Sequence, residues 1–282
     1  MEVIGVIGAG VMGAGVAQNL SQSGCSVILI DVGEEQLKKA REEIENSVRF
    51  QSLFSKGDKL ETSESVLSRI QFGDDYNLLK DVSFVIENVT EKWDVKKTVY
   101  DKLEHFCKDE SIFLVNTSCI SITKIASLTK RPKKVMGVHF MNPVPLKSTV
   151  EAIRGYHTSE DTIEATKGLL NRMGKECIIV NDLPGFVSNR ISHLFMNEAA
   201  FVVQDQIAEP EDVDDIFRKC YGHKMGPLET ADLIGLDTVV NSLDILYESY
   251  QDPKFRCCPL LRKMVYAGLL GRKSGKGFYI YD

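Results

Sequence analysis

Paired metal-binding and disulfide patterns are missing from this 282-residue chain. Its seven cysteines (Cys25, Cys107, Cys119, Cys177, Cys220, Cys257 and Cys258) are odd in number and include no C-x-x-C pair, which argues against a disulfide framework or zinc site and for reduced thiols. The five histidines show neither paired spacing nor acidic clustering, so no metal is expected. There is no internal repeat, low-complexity segment or long block of one charge. A net charge of −6 gives no reason to expect nucleic acid or a membrane surface as partner. The uncharged run Val3–Leu20 approaches the length of a membrane span, but its five glycines and the polar Gln18-Asn19 pair argue against one. The first strand pattern begins within two residues of the start, leaving no room for a signal or transit peptide, so a cytoplasmic location is expected.

What is present is the composition of a globular protein, 43% hydrophobic and 26% charged, in a chain long enough for one large or two ordinary domains. Its most telling stretch is Val3-Ile-Gly-Val-Ile-Gly-Ala-Gly-Val-Met-Gly13, followed by Val27-Ile-Leu-Ile-Asp31. That pattern spells strand, glycine turn, helix and a second strand ending in an acid. Gly8 permits the tight turn, Gly10 lets backbone N–H groups approach a pyrophosphate, and Gly13 allows close helix–strand packing. A carboxylate at Asp31 accepts the two hydroxyls of an adenosine ribose and repels a 2′-phosphate, so the cofactor expected is NAD rather than NADP.

Helical and strand patterns alternate up to about residue 180. Helices are expected over Glu34–Phe54, Glu64–Ile70, Val95–Phe106, Ile122–Leu128 and Asp161–Met173, with a helical stretch at Tyr76–Lys80. Strands are expected at Phe84–Ile86, Ile112–Asn116, Val135–His139 and Glu176–Val180. This alternation predicts an α/β Rossmann-like, doubly wound and mostly parallel sheet. Asp182-Leu-Pro-Gly185 punctuates the chain and is a candidate hinge. Beyond it the patterns are helical (Val187–Gln204, Val213–Cys220, Leu236–Glu248, Pro259–Ala267). Residues 1–184 therefore read as an NAD-binding domain and residues 185–282 as an all-α domain. The helix from Val187 carries more apolar stripe than one core needs, which suits a subunit interface.

In an open parallel sheet the ligand lies beyond the carboxyl ends of the strands. Three strands end in chemistry-bearing residues: Glu87-Asn-Val-Thr-Glu91, Asn116-Thr-Ser118-Cys-Ile, and His139-Phe-Met-Asn142-Pro. His139 is the best candidate general base, since an imidazole of free pKa about 6.5 can take a hydroxyl proton while hydride leaves the carbon. Glu151, twelve residues on, could bond the other ring nitrogen and fix its tautomer. Cys119 reads as a packing residue.

Over essentially its whole length the chain resembles the NAD-dependent L-3-hydroxyacyl-CoA dehydrogenases, including the bacterial 3-hydroxybutyryl-CoA enzymes. The resemblance rests on Gly8-Ala-Gly-Val-Met-Gly13, Asn116-Thr-Ser118, His139-Phe-Met-Asn-Pro-Val-Pro145 with Glu151, and Asp182-Leu-Pro-Gly-Phe-Val-Ser-Asn189-Arg190. It extends to Gly226-Pro-Leu-Glu-Thr-Ala-Asp232-Leu-Ile-Gly235 and Gly271-Arg-Lys273-Ser-Gly-Lys-Gly277. It implies that His139 is the acid/base, that Glu151 orients it, and that Ser118 and Asn189 hold the substrate hydroxyl and thioester carbonyl. It also implies cofactor contacts at Gly8, Gly10, Gly13, Asp31, Glu91, Lys96, Ser118, Asn142 and Lys273, and a homodimer formed through the helical domain. The site would close in a cleft between the domains.

Two departures bear on the substrate. Lys147-Ser148-Thr149 replaces a largely apolar segment before Glu151, which would suit a polar acyl group. The region expected to meet coenzyme A carries Ser47, Arg49, Lys56 and Lys59, with Phe54 where relatives have a lysine. Ser47 and Lys56 are the candidate substrate contacts there. The partner is thus a coenzyme A thioester or, as in the branch that oxidises glyceryl thioesters to hydroxymalonyl-type units for polyketides, an acyl carrier protein thioester. A non-catalytic relative, crystallin-like or NADH-sensing, is a remote third reading, opposed by the joint presence of Ser118, His139, Glu151 and Asn189.

Overall fold

Strands that are apolar on both faces need cover on both faces, and they fix the frame of the first half of the chain. A computed structural model describes residues 2–54 and 61–281, without the side chains of residues 52–54. The chain divides into two units, Met1–Asp182 and Leu183–Asp282.

The first unit runs β1 (Val3–Ile7), α1 (Val11–Gln22), β2 (Ser26–Ile30), α2 (Glu34–Phe54), α3 (Ser63–Ser68), β3 (Ile70–Gly73) and β4 (Phe84–Glu87). It continues α4 (Trp93–Phe106), β5 (Ile112–Asn116), α5 (Ile122–Ala126), β6 (Val135–His139), β7 (Thr149–Arg154), α6 (Glu160–Arg172) and β8 (Glu176–Asn181). The eight strands form one sheet in the order β3-β2-β1-β4-β5-β6-β7-β8. All neighbours are parallel except β6 and β7, which are antiparallel. The expected doubly wound, mostly parallel sheet is what forms. Its core joins Ile4, Val6, Leu29, Ile86, Leu114 and Val138 of the strands to Val16, Leu20, Ile44 and Leu169 of the helices.

Two strands escape the sequence patterns. β3 is four residues long and is continuous with the periodic run expected to be helix as far as Ile70, which instead stops at Ser68. β7 has a buried carboxylate, Glu151, at its centre, which breaks any apolar run that would announce a strand. The turn after β1 depends on glycine twice. Gly8 sits at φ +90°, and a Cβ on Gly13 would lie 1.7 Å from the Gly8 carbonyl oxygen.

The second unit is helical: α7 (Ser188–Gln204), α8 (Pro210–Tyr221), α9 (Pro227–Ile234), α10 (Leu236–Tyr250) and α11 (Pro259–Tyr266). Met196, Ala200, Leu228, Ala231, Leu236, Leu243 and Leu261 form its core. At eight residues, α9 is too short to show a period in the sequence. It is held by buried Asp214, whose carboxylate accepts the N–H groups of Leu228 and Glu229, both at 2.8 Å. Asp232, also buried, accepts from the backbone of Phe278 and Tyr279 and from the Tyr281 hydroxyl, fixing the C-terminal segment. No helix among the described residues is long and apolar enough to cross a membrane.

Gly13→Ala drives a methyl into backbone that cannot yield without opening the turn. It is expected to cost about 3 kcal/mol, the upper end of overpacking losses, read as a lowered midpoint in chemical denaturation.

Candidate active site

The turn between β1 and α1 opens on a groove of about 380 Å³ lined by Gly8, Gly10, Asp31, Gln36, Tyr76, Asn88 and Val99 among others. Helix α1 has Gly10 at its N-cap with no side chain bonded to its first-turn N–H groups, and a Cβ on Gly10 would meet nothing within 4 Å. Bare N–H donors at a helix start, with open space before them, suit a pyrophosphate. Asp31 is held by the N–H groups of Ala9 (2.7 Å) and Gly33 (3.0 Å). A carboxylate offers about four acceptor positions, so capacity remains for ribose hydroxyls. These residues fit a dinucleotide. Gln36, which bonds the Ala9 carbonyl at 2.9 Å, also lines the groove, and no sequence signal singled it out.

Farther along the sheet, register puts His139 of β6 opposite Glu151 of β7. The imidazole Nδ1 lies 3.1 Å from Glu151 Oε2, and Nε2 lies 3.1 Å from Ser118 Oγ. Both His139 (6% exposed) and Glu151 (9%) are buried. If Nδ1–H donates to the carboxylate, Nε2 is left to accept from the Ser118 hydroxyl, a tautomer assigned from the hydrogen-bond network. A serine hydroxyl, an imidazole and a carboxylate thus stand in line at the ends of β5, β6 and in β7. The arrangement can move a proton at Nε2 while the carboxylate stabilises the imidazolium.

The segment carrying Ser118 is fastened from below. Glu91 accepts the Ser118 N–H at 2.6 Å and the Thr117 hydroxyl at 2.7 and 2.9 Å. Beneath lies a buried ion pair: Lys96 Nζ is 2.9 and 2.8 Å from the two oxygens of Glu87, 3.4 Å from the Asn116 carbonyl and 4.0 Å from Glu91. Lys96 is wholly buried, so it lies under the loop and not on its surface. Burial pushes the Glu87 carboxyl above its usual range, while the Lys96 charge and the Val89 N–H oppose that rise. Asn116 joins the strand ends by donating to the Asn88 side chain and accepting from the Phe140 N–H.

Other candidate residues are dispersed. Asn142 and Ser47 line a second, smaller cleft of about 130 Å³, with Gln18, Glu43 and Val144. Lys56 and Lys59 lie outside the described residues. Asn189 is near the start of α7 in the second unit; Lys273, in the turn Arg272–Ser274 of the same unit, pairs its ammonium with Asp237 at 2.5 Å. Lys147 and Ser148 are exposed at the approach to β7.

Residues 3–183 match the model of the 3-hydroxyacyl-CoA dehydrogenase NAD binding domain, and residues 185–281 that of the 3-hydroxyacyl-CoA dehydrogenase C-terminal domain. The chain belongs to the 3-hydroxyacyl-CoA dehydrogenase family. Within it, this dehydrogenase is 45% identical over 277 residues to a protein of Deinococcus radiodurans named "Probable 3-hydroxybutyryl-CoA dehydrogenase", covering 98% of this chain and 99% of that one. It is 41% identical to the 3-hydroxybutyryl-CoA dehydrogenase of Bradyrhizobium diazoefficiens over 281 residues, covering 100% of this chain and 96% of the relative. The crystal structure of (S)-3-hydroxybutyryl-CoA dehydrogenase from Ralstonia eutropha superposes with a TM-score of 0.95 at 38% identity, covering 100% of this chain and 99% of that one.

Lys96→Met leaves Glu87 buried without its counter-charge and is expected to cost about 3–5 kcal/mol of stability. The loss has a pH signature. A carboxyl whose folded-state pKa is raised stabilises the fold at low pH, and that contribution disappears as pH rises through the folded value. The variant's deficit in denaturation midpoint should therefore narrow as pH falls, and a deficit independent of pH would contradict the pairing.

Proposed function

We propose that this dehydrogenase interconverts short 3-hydroxyacyl-CoA and 3-ketoacyl-CoA thioesters, with 3-hydroxybutyryl-CoA and acetoacetyl-CoA as the natural pair to try. The observation that carries this reading is the Ser118–His139–Glu151 line, its imidazole and carboxylate buried, at the strand ends of a chain of this family. NAD, when bound, accepts or returns the hydride at substrate C3. His139 Nε2 takes the hydroxyl proton in the oxidative direction and returns it in reduction. Glu151 holds the ring in the tautomer that leaves Nε2 available and offsets the charge it gains. Ser118, within hydrogen-bond distance of Nε2, orients the substrate oxygen beside it.

On the cofactor side the reading assigns Gly8, Gly10 and Gly13 to the pyrophosphate turn and Asp31 to the ribose. Glu91, Asn142 and Ser118 go to the nicotinamide end, with Lys96 acting from beneath. Family resemblance adds Asn189 as a substrate contact, Lys273 as a cofactor contact, and Ser47 and Lys56 as contacts for the coenzyme A arm. Residues 1–184 are then the cofactor-binding part and residues 185–282 the part that pairs with a second copy. An apolar cleft of about 500 Å³ on the second unit, lined by Val187, Ile191, Phe195 and Phe217, supports that pairing. Seven free thiols support a cytoplasmic location. Full-length similarity to proteins named for 3-hydroxybutyryl-CoA favours coenzyme A over carrier-bound polar acyl groups as the substrate handle.

The test is NADH oxidation by purified protein with acetoacetyl-CoA alongside a panel of carrier-protein thioesters. Turnover of acetoacetyl-CoA supports the reading; turnover of carrier-bound substrates alone overturns it. His139→Ala should lower kcat by roughly 10²–10⁴ while NADH binding, followed by fluorescence titration, is unchanged. Asp31→Ala should weaken NADH more than NADPH, and equal losses would refute the ribose assignment.

A further inference from the structure

Ser118 is useful only while its hydroxyl faces the imidazole, and the segment 117–123 has few means of its own to hold that pose. Helix α5, which follows it, is five residues long, far below what is stable without outside contacts. Its start is gripped by one side chain distant in sequence. Asp182 Oδ2 accepts the Ser121 hydroxyl at 2.8 Å and the Thr123 N–H at 2.7 Å, and Oδ1 accepts the Ile122 N–H at 3.0 Å. Ser121 Oγ in turn caps the helix by accepting the Lys124 N–H at 3.2 Å.

The grip has a rigid mounting. Asp182 follows the last residue of β8, whose six residues all pair with β7, and its own N–H bonds the Arg154 carbonyl at 3.0 Å. Strand β7 is also the strand that carries Glu151. One sheet edge therefore sets the carboxylate on one side of His139 and, through Asp182, the segment that brings Ser118 to the other. The opposite end of that segment is tied to Glu91 through Thr117 and the Ser118 N–H.

From this geometry we infer that Asp182 is a positioning residue for the hydride-transfer site, acting through Ser118 by clamping the start of α5. The inference rests on the role proposed for Ser118. A plain helix cap would contribute stability alone, whereas this placement makes turnover depend on Asp182 only as long as Ser118 carries its hydroxyl.

The chain supplies its own reporter. Trp93 is its single tryptophan, and Lys124 of α5 places its ammonium 4.0 Å from the centre of that ring. Movement of α5 should therefore change Trp93 emission without any assay of activity.

The experiment is a double-mutant cycle on the full chain, with Asp182→Ala, Ser118→Ala and the double variant assayed for acetoacetyl-CoA reduction by NADH. Asp182→Ala is expected to lower kcat on the order of 10- to 100-fold, to change the KM for NADH by less than that, and to alter Trp93 emission. In the Ser118→Ala background the same change should cost little further. Equal fold-losses in both backgrounds, or normal kcat with unchanged emission, would overturn the inference. Full kcat in Ser118→Ala alone would refute the role of Ser118, and the inference with it. Should Asp182→Ala fail to fold, Asp182→Asn, which keeps one accepting oxygen, goes through the same cycle with the same criteria.

Discussion

The contact on which the site depends is the bond between two buried groups, His139 and Glu151, and it exists because β7, with β8 beside it, runs against the other six strands. The antiparallel pairing of β7 with β6 puts residues twelve apart directly opposite each other at the site end of the sheet. A buried carboxylate is costly unless it is paired and hydrogen-bonded. Glu151 meets that cost by facing an imidazole that needs a fixed tautomer.

Around that pair the molecule spends polar groups on placement. The β1–α1 turn, built on Gly8 and Gly13, leaves the start of α1 open to an anion. The ends of β4 and β5 are joined by Asn88, Asn116 and the Glu87–Lys96 pair. Glu91 then carries that support up to the backbone of Ser118. These groups sit at strand ends or bond to residues that do, as Lys96 of α4 bonds Glu87 of β4, and rigid anchoring of this kind keeps reacting atoms within the narrow tolerances that proton and hydride transfer require.

Much of this was legible in the sequence because it is local. The glycine turn, Asp31 at the end of β2, and Ser118 and His139 at the ends of β5 and β6 all follow from strand patterns and the rule that sites lie beyond strand ends. What could not be read there is non-local or too short. β7 was hidden because its central residue is a buried acid, so the opposition of Glu151 to His139 was open to conjecture but not to pattern. β3 and α9 are too brief for a period, and α9 is held by Asp214 from another helix. The burial of Lys96 against Glu87, and the reach of Asp182 to α5 across about sixty residues, are products of packing that no spacing encodes.

The central claim is that hydride moves to the C3 carbon of a 3-ketoacyl-CoA beside His139. The most direct measurement is mass spectrometry of the product formed from acetoacetyl-CoA and NADH carrying deuterium at both C4 positions of the nicotinamide. The account predicts 3-hydroxybutyryl-CoA carrying one deuterium at C3. Product lacking label at C3, or no product from a protein that binds NADH, would contradict it.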